Sequence, residues 1–292
     1  MVLTGHPLAA VTCGDSGSAE TAVDVGRLRD LTAATRTPRP VRLRTHLLLL
    51  VTAGHGAVEV DFRRYPGRPG SVLRLCPGQV WRARGARLDA TLVSWPAGLL
   101  DARLPEAGDR VHWQLTGADE DAVVTEITQL TVDAARRHDH GPALELLRHA
   151  LAVLLLRLAL QPGPDRTGSE VERATFDRLR EEVECSYMRT RRVEDYAARI
   201  GCSVRTLTRA CLATTGRSAK QVIDDRVALE AMRLLAATDD PITLVGRRLG
   251  FTEPTNFGRF FTRETGWSPG AFRSDGYQRW ADAAPVPRPR HG

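Results

Sequence analysis

The feature that most restricts the fold of this chain is an internal repeat with an offset of 50 residues. The segment TLTRACLATTGRS, residues 206–218, aligns with NFGRFFTRETGWS, residues 256–268. The two copies are identical at one Arg, one Thr, one Gly and one Ser position, and Leu207 aligns with Phe257. Self-similarity at a fixed spacing predicts that one local structure is built twice.

Local signals predict that each copy consists of two helices separated by a tight turn. The first helix lies in VEDYAARIG (193–201) or DPITLVGRRLGF (240–251), and the second lies in the repeated segment. Gly216 and Gly266 stand where a helix needs a left-handed final residue. Helix starts are indicated by Ser218 with Gln221, Asp240 with Pro241, and Ser268 with Pro269. The pattern is that of a helix-turn-helix unit, whose second helix can enter the DNA major groove.

The segment between the copies, SAKQVIDDRVALEAMRLLAAT (218–238), is a strong helix pattern. Its length would be about 30 Å if it is helical throughout. Major-groove faces recur about every 34 Å along one side of B-DNA. The connector therefore predicts two base-reading helices placed in successive turns of the duplex.

Charge is concentrated in the same part of the chain. The formal net charge is +6, and between Cys185 and Arg217 seven Arg face only Glu194 and Asp195. Such a surplus suits a polyanionic partner, although it can also be a solvated face.

Residues from about 172 to 274 resemble the DNA-binding domain of AraC/XylS-type transcription regulators. The most specific part is LGFTEPTNFGRFFTRETGWSPGAFR (249–273), which has the Gly-Phe turn, the aromatic-Arg-aromatic core and the Ser-Pro run of that family. The resemblance implies a cytoplasmic, sequence-specific regulator of double-stranded DNA with no enzymatic role and no cofactor. Activation through RNA polymerase is the usual output in the family, and repression stays open.

The resemblance also implies which side chains face DNA. They are Arg205, Thr206, Thr208 and Arg209 on the first recognition helix, and Thr255, Asn256 and Arg259 on the second. Arg205 and Arg209 are the first choices for base reading, because Arg pairs bidentately with guanine. For Arg209 and Arg259 a phosphate contact or an ion pair within the domain is an equal alternative.

Other residues of the copies are interpreted as structural. Helical spacing places Phe257, Phe260 and Phe261 in the core, with Leu207 and either Cys211 or Leu212 in the first copy. Two departures from the family pattern are Gly246, where Ala is usual, and Pro254, where some relatives have a base-contacting polar residue. Direct readout from Pro254 is therefore not expected.

The region from Val41 to Val111 contains short apolar runs punctuated by Gly and Pro. Val58, Val60 and Phe62 alternate with Glu59, Asp61 and Arg63, as in a strand with one buried face. The pattern indicates a small β-barrel or sandwich, and His46, Gly54, Gly56 and PGQVW (77–81) resemble the cupin-like sensor domain of the same family. His46, Trp81 and Trp95 are candidates to line an effector pocket, each with a purely structural alternative. Alternatively, side chains fill the interior of this barrel or sandwich and leave no effector pocket.

No metal site is predicted. His46 and His55 are nine residues apart, and Trp81 stands where a cupin would place its last His, so the ligand spacing is wrong. The five Cys show no CxxC and favour a reducing compartment without a disulfide framework. The alternative function is a cupin-type metal-dependent enzyme fused to a nucleic-acid-binding module.

Two helices are predicted between residues 118 and 160. Leu144, Leu147, Leu151, Leu154 and Leu158 form a heptad seam, which either covers the barrel or meets its copy in a homodimer. Four polar residues within Pro142–Leu160 argue against a membrane span, and the first residues do not form a convincing signal peptide.

The predicted fold class is thus α+β multidomain. A cupin-like barrel with two following helices precedes an all-α domain of two helix-turn-helix units joined by a long helix. The expected order is a flexible arm, the sensor domain, dimerisation helices, a linker, the DNA-binding domain and a disordered tail, at residues 1–20, 21–117, 118–160, 161–170, 171–280 and 281–292.

Overall fold

The computed structural model describes residues 23–34, 39–85, 87–100, 110–135, 141–162 and 167–276. They form two compact units, which we call the N-terminal unit (within 23–162) and the C-terminal unit (within 167–276). The predicted arm and tail lie outside the described residues. No helix in the described part of the chain is long and apolar enough to cross a membrane.

The N-terminal unit contains two antiparallel sheets. Their strands are β1 (Asp24–Arg27), β2 (Val41–Arg42), β3 (His46–Ala53), β4 (Gly56–Val60), β5 (Arg63–Gly67), β6 (Ser71–Leu75), β7 (Val80–Arg84), β8 (Asp89–Trp95) and β9 (His112–Gln114), with helix α1 (Leu28–Ala34) after β1. The larger sheet has the order β1-β8-β3-β6-β9, and the smaller one has the order β2-β7-β4-β5. The described strands therefore form two separate sheets rather than the closed cupin-like barrel that the sequence suggested.

Strand β3 explains why the larger sheet lies in the middle of the unit. Its run from Leu47 to Val51 is buried on both faces. Leu47, Leu49 and Val51 pack in a core with residues of the smaller sheet, whereas Leu48 and Leu50 pack in a second core with the following helices. A continuous apolar run, rather than an alternating one, is what a strand covered on both faces requires.

Helices α2 (Ala118–Ala135) and α3 (Pro142–Leu160) cover the outer face of the larger sheet. Four residues of the predicted heptad seam, namely Leu147, Leu151, Leu154 and Leu158, are buried in this core. The interpretation in which this seam meets a second subunit is wrong, because the chain itself already covers these side chains.

The alternation expected in 58–63 ends early. Strand β4 stops at Val60, and Asp61 and Phe62 form the turn to β5 with φ of 48° and 65°. Phe62 is therefore not a strand residue, although it is buried. Glu59, expected on the solvent face, is buried as well.

The C-terminal unit is all helical. It consists of α4 (Glu170–Ser186), α5 (Val193–Ile200), α6 (Val204–Thr215), α7 (Ala219–Ala237), α8 (Ile242–Arg248), α9 (Pro254–Thr265) and α10 (Pro269–Ala271), followed by a π-helical turn at Phe272–Gly276. The 19 residues of α7 span about 28 Å. Helix α7 contacts α5 and α6 of the first copy and α8 and α9 of the second, so most of its residues are buried.

The expected helix boundaries are largely confirmed. Ser218 and Gln221 make a capping box, and Gly216 and Gly266 end their helices with φ of 72° and 77°. The predicted start at Asp240 is wrong by one residue, because Pro241 is the N-cap of α8. The Asp240 carboxylate instead accepts a hydrogen bond from Arg248 of the same helix.

Candidate nucleic-acid interface

The first helix-turn-helix copy comprises α5 and α6. The turn between them uses Gly201 at φ 75°, and the Ser203 hydroxyl caps α6. Leu207, Ala210 and Cys211 are buried, which leaves the opposite face of α6 in solvent. Of the two alternatives for the core, Cys211 is correct, since Leu212 is 51 % exposed.

The predicted base-reading residues of α6 differ in their availability. Arg205 is exposed and makes no ion pair among the described residues. Thr206 and Thr208 are half-buried. The Thr206 hydroxyl lies 2.9 Å from Ser203 Oγ, and its backbone N–H donates to the same oxygen at 3.0 Å, so this residue is engaged in the helix cap.

Arg209 is held by a carboxylate of its own domain. Its Nε lies 3.6 Å from Oε1 of Glu172 on α4, although its side chain remains 70 % exposed. Hydrogen bonds from the backbone and the hydroxyl of Ser169 lower the pKa of Glu172, and Arg209 adds to this effect. In the protein without DNA, Arg209 therefore takes the intradomain ion pair that the sequence left as an alternative.

The second copy comprises α8 and α9. Phe257, Phe260 and Phe261 are buried, which confirms that they are core residues and not base-stacking residues. Phe251 packs on this group with ring centroids 5.3 Å from Phe257 and 5.1 Å from Phe260.

The opposite face of α9 is polar. Thr255, Asn256 and Arg259 are exposed, and Arg259 makes no ion pair among the residues that the structure describes. Pro254 is the exposed first residue of α9, where its lack of an N–H does not interrupt the helix.

The departure at Gly246 has a packing reason. A Cβ on Gly246 would lie 3.1 Å from Cβ and Cγ of Phe257, closer than almost all real contacts. A glycine in α8 thus makes room for a ring on α9.

Several cationic residues near the copies could be counted in the sequence but not placed. Arg189, Arg191 and Arg192 lie in the loop between α4 and α5, and the Arg191 guanidinium stacks 3.7 Å above the Phe251 ring. Arg263 of α9 pairs with Asp224 at 3.3 Å. The run of Arg between Cys185 and Arg217 indicates in the sequence that this loop is positively charged. That the loop packs against the second copy is visible only in the structure.

The three candidate effector residues do not share one site. Trp81 is buried in the core between the two sheets, whereas Trp95 is buried in the core on the opposite face of the larger sheet. His46 stacks on Trp95 with a centroid distance of 5.3 Å. Burial, together with the nearby Arg74, lowers the pKa of His46 to about 4, so this imidazole is neutral at pH 7.

Glu59, which follows His55 in the sequence, is surrounded by Arg side chains. Buried Glu59 accepts from Arg82 at 2.6 Å and pairs with Arg84 at 2.7 Å and Arg64 at 3.3 Å. Three guanidinium groups around one carboxylate leave no room for a cation there. The described residues contain no cluster of three or more His, Cys, Asp or Glu side chains suited to a metal.

The chain is similar to several known proteins. Residues 196–275 match the model of a helix-turn-helix domain family. Among solved structures, ToxT from Vibrio cholerae is 10 % identical and covers 87 % of this chain and 97 % of its own, with a TM-score of 0.45. An AraC-type regulator from Chromobacterium violaceum is 19 % identical and covers 37 % of this chain and 96 % of its own, with a TM-score of 0.34.

Curated relatives are more informative. The transcriptional activator RhaS of Enterobacter sp. (strain 638) is 28 % identical over 166 residues, which is 56 % of this chain and 57 % of the relative. RhaS of Salmonella typhimurium is 29 % identical over 181 residues, covering 58 % and 61 %. The chain thus matches less than two thirds of the length of these relatives. The helix-turn-helix match over residues 196–275 and these sequence relationships show that the chain is similar to regulators of the AraC/XylS type.

Proposed function

We propose that the protein is a sequence-specific transcription regulator that inserts α6 and α9 into successive major-groove segments of double-stranded DNA. The observation that carries the proposal is the matched exposure of Arg205 and Arg259, which have no ion pair among the described residues. An exposed guanidinium without an internal partner is ready to bind a guanine edge or a phosphate. Helix α7, which separates the two copies in the sequence, is about 28 Å long, and the duplex repeat is about 34 Å.

The test is to measure, by fluorescence anisotropy at moderate salt, how the protein binds DNA from the region around its own gene. We expect a preference over scrambled duplex of at least about a thousandfold for a specific site. Arg205→Ala and Arg259→Ala should each weaken binding to the specific site. Arg148→Ala is a matched control, since it removes an exposed Arg of the N-terminal unit. No preference over scrambled DNA would contradict the proposal.

We further propose that the protein acts as a homodimer through α3. Four of its apolar residues are exposed, namely Leu146 at 53 %, Val153 at 40 %, Leu156 at 39 % and Leu160 at 83 %. With His149 they repeat at intervals of three and four, so they form a second heptad seam beside the buried one. Leu156→Glu should convert a dimer into a monomer in analytical ultracentrifugation, while Val124→Glu on α2 is the control. A wild-type monomer at all concentrations would contradict the dimer.

In this proposal residues 21–117 are the sensor, 118–160 the dimerisation helices, 161–170 the linker and 171–280 the DNA-binding domain of a cytoplasmic activator. The named relatives are activators, which supports contact with RNA polymerase as the output. A small, partly apolar effector would bind near His46 and Trp95. A library of such compounds should then include one that raises the melting temperature of the wild-type protein but not of Trp95→Phe.

A further inference from the structure

The loop that joins α4 to α5 lies against the second helix-turn-helix copy. This loop, residues 187–192, lines a cavity of about 250 Å³ together with Leu249 and Gly250 from the turn after α8. A Cβ on Gly250 would lie 2.6 Å from the carbonyl oxygen of Met188, so the two backbones are in close contact. Gly250 has φ 76°, which also favours glycine. The cavity therefore sits at the junction of the two copies.

Arg191 connects the loop to the second copy. Its guanidinium lies 3.7 Å from the centroid of Phe251 and 5.9 Å from that of Phe260, a geometry in which a cation is attracted to the ring face. Its Nη1 is buried and has no hydrogen-bond acceptor among the described residues. Burial lowers the pKa of this Arg, and the nearby Asp224 opposes that shift. A buried N–H without an acceptor is unfavourable, and an anion would satisfy it.

The surroundings of the cavity carry an excess of positive charge. Arg189 is exposed and makes no ion pair with a described residue, and Arg192 pairs weakly with Glu194 at 3.7 Å where both side chains are in solvent. Among the other carboxylates nearby, Asp195 accepts from the Thr190 hydroxyl at 2.5 Å. Asp224 is already paired with Lys220 and Arg263. An anion is thus the ligand that the cavity would favour.

The position of the cavity indicates which anion. A protein that reads two successive major grooves must pass over the phosphates that border the minor groove between them. Phosphate contacts of this kind fix the register of a protein on its site. We propose that Arg189, Arg191 and Arg192 bind a DNA backbone phosphate at this junction. This inference rests on the proposed function, and a free phosphate-bearing molecule offers the same chemistry.

The test is the salt dependence of DNA binding by the full chain. Arg189→Ala combined with Arg192→Ala removes two exposed side chains and should leave the fold intact. The slope of log K against log salt is negative, and loss of one phosphate contact reduces its magnitude by about 0.9. The same decrease should appear with scrambled duplex, because a phosphate contact is independent of sequence. Arg148→Ala should leave the slope unchanged.

The outcomes separate the two proposals. An unchanged slope on both duplexes overturns the phosphate site while leaving sequence-specific binding intact. A decreased slope without any preference for a specific site supports the phosphate contact and contradicts the proposed function. Inorganic phosphate provides the other arm. If it raises the melting temperature of the wild-type protein but not of the double variant, while the DNA slopes are equal, the site binds free phosphate and the DNA assignment is wrong.

Discussion

The two helix-turn-helix copies have the same backbone pattern but distribute side-chain volume differently. In the first copy Ala197 on α5 and Leu207 on α6 are buried. In the second copy Gly246 on α8 and Phe257 on α9 are the buried pair. The second copy therefore places more volume on the recognition helix and less on the supporting helix. A duplicated motif can thus keep its turns and caps while different side chains fill its core.

The exposed faces of the copies also differ. Arg209 of the first copy is paired with Glu172, whereas the aligned Arg259 of the second copy has no ion pair among the described residues. In the first turn of each recognition helix, Arg205 of the first copy aligns with Thr255 of the second, and Thr206 aligns with Asn256. Arg suits guanine and Asn suits adenine, so the two copies should prefer different bases.

The free energy of unfolding should change most when the buried side chains of the recognition helices are truncated. Phe257→Ala should reduce the free energy of unfolding by about 3–5 kcal/mol, because a large buried ring is lost. Leu207→Ala removes fewer atoms and should reduce it less, within the range of about 2–5 kcal/mol for such changes. Urea denaturation measures both values, with the exposed Thr255→Ala as the control. A larger loss for Leu207→Ala would contradict the idea that the second core depends more on its recognition helix.

The next effect concerns DNA binding. Arg259→Ala should cost about 1–3 kcal/mol of binding free energy and relax one base position if Arg259 reads a base. Arg209→Ala should cost less, because Arg209 must first leave Glu172. Anisotropy titrations with single-base variants of the site measure both. Uniform weakening across all sequences would assign the residue to a phosphate instead, and equal losses would remove the distinction between the copies.

A smaller effect should appear when the second copy is converted toward the first. Gly246→Ala gains about 1 kcal/mol in helix propensity but crowds Phe257, and overpacking costs about 1–3 kcal/mol. We expect a net destabilisation in the wild type and a smaller one when Phe257→Leu is present, because leucine removes the ring but retains Cβ and Cγ. A double-mutant cycle in urea should give a coupling of about 0.5–3 kcal/mol. Additive changes would show that the two positions are independent.

The smallest effect should come from the partner of Arg209. Glu172→Gln keeps an amide oxygen for the capping box of α4 but removes the charge that holds Arg209. DNA affinity should rise slightly and stability should hardly change. Glu170→Gln is a matched control on the same helix turn. A loss of affinity would mean that Glu172 positions Arg209 productively for DNA.

The sequence predicted most of the C-terminal unit, because its signals are local. Caps such as Ser218 and left-handed glycines such as Gly216 act within one helical turn, and the aromatic spacing identified Phe257 as core. The contact between Arg191 and Phe251 could not be predicted, since 60 residues separate the two partners. Likewise the pairing of Arg209 with Glu172 depends on how α4 packs on α6.

The N-terminal unit was predicted less well for the same reason. Alternation assigned Phe62 to a strand, but the hairpin turn falls at Asp61 and Phe62 with positive φ, where Asn or Gly would have been the recognisable signal. Glu59 was placed in solvent because the three Arg that cover it come from neighbouring strands. The leucine seam was visible, but sequence alone could not decide which surface it would cover.

Helix α7 has a consequence for how the C-terminal unit can be divided. Every residue from 230 to 236 is buried, including Glu230, which pairs with Arg226 and Arg233 at 3.2 Å each. If the chain were divided on either side of α7, one copy would lose its packing contacts with this helix. The buried charges and apolar residues of α7 would then be exposed to solvent. Neither copy should therefore fold when it is moved alone into another protein. The two copies should unfold together in a single cooperative transition.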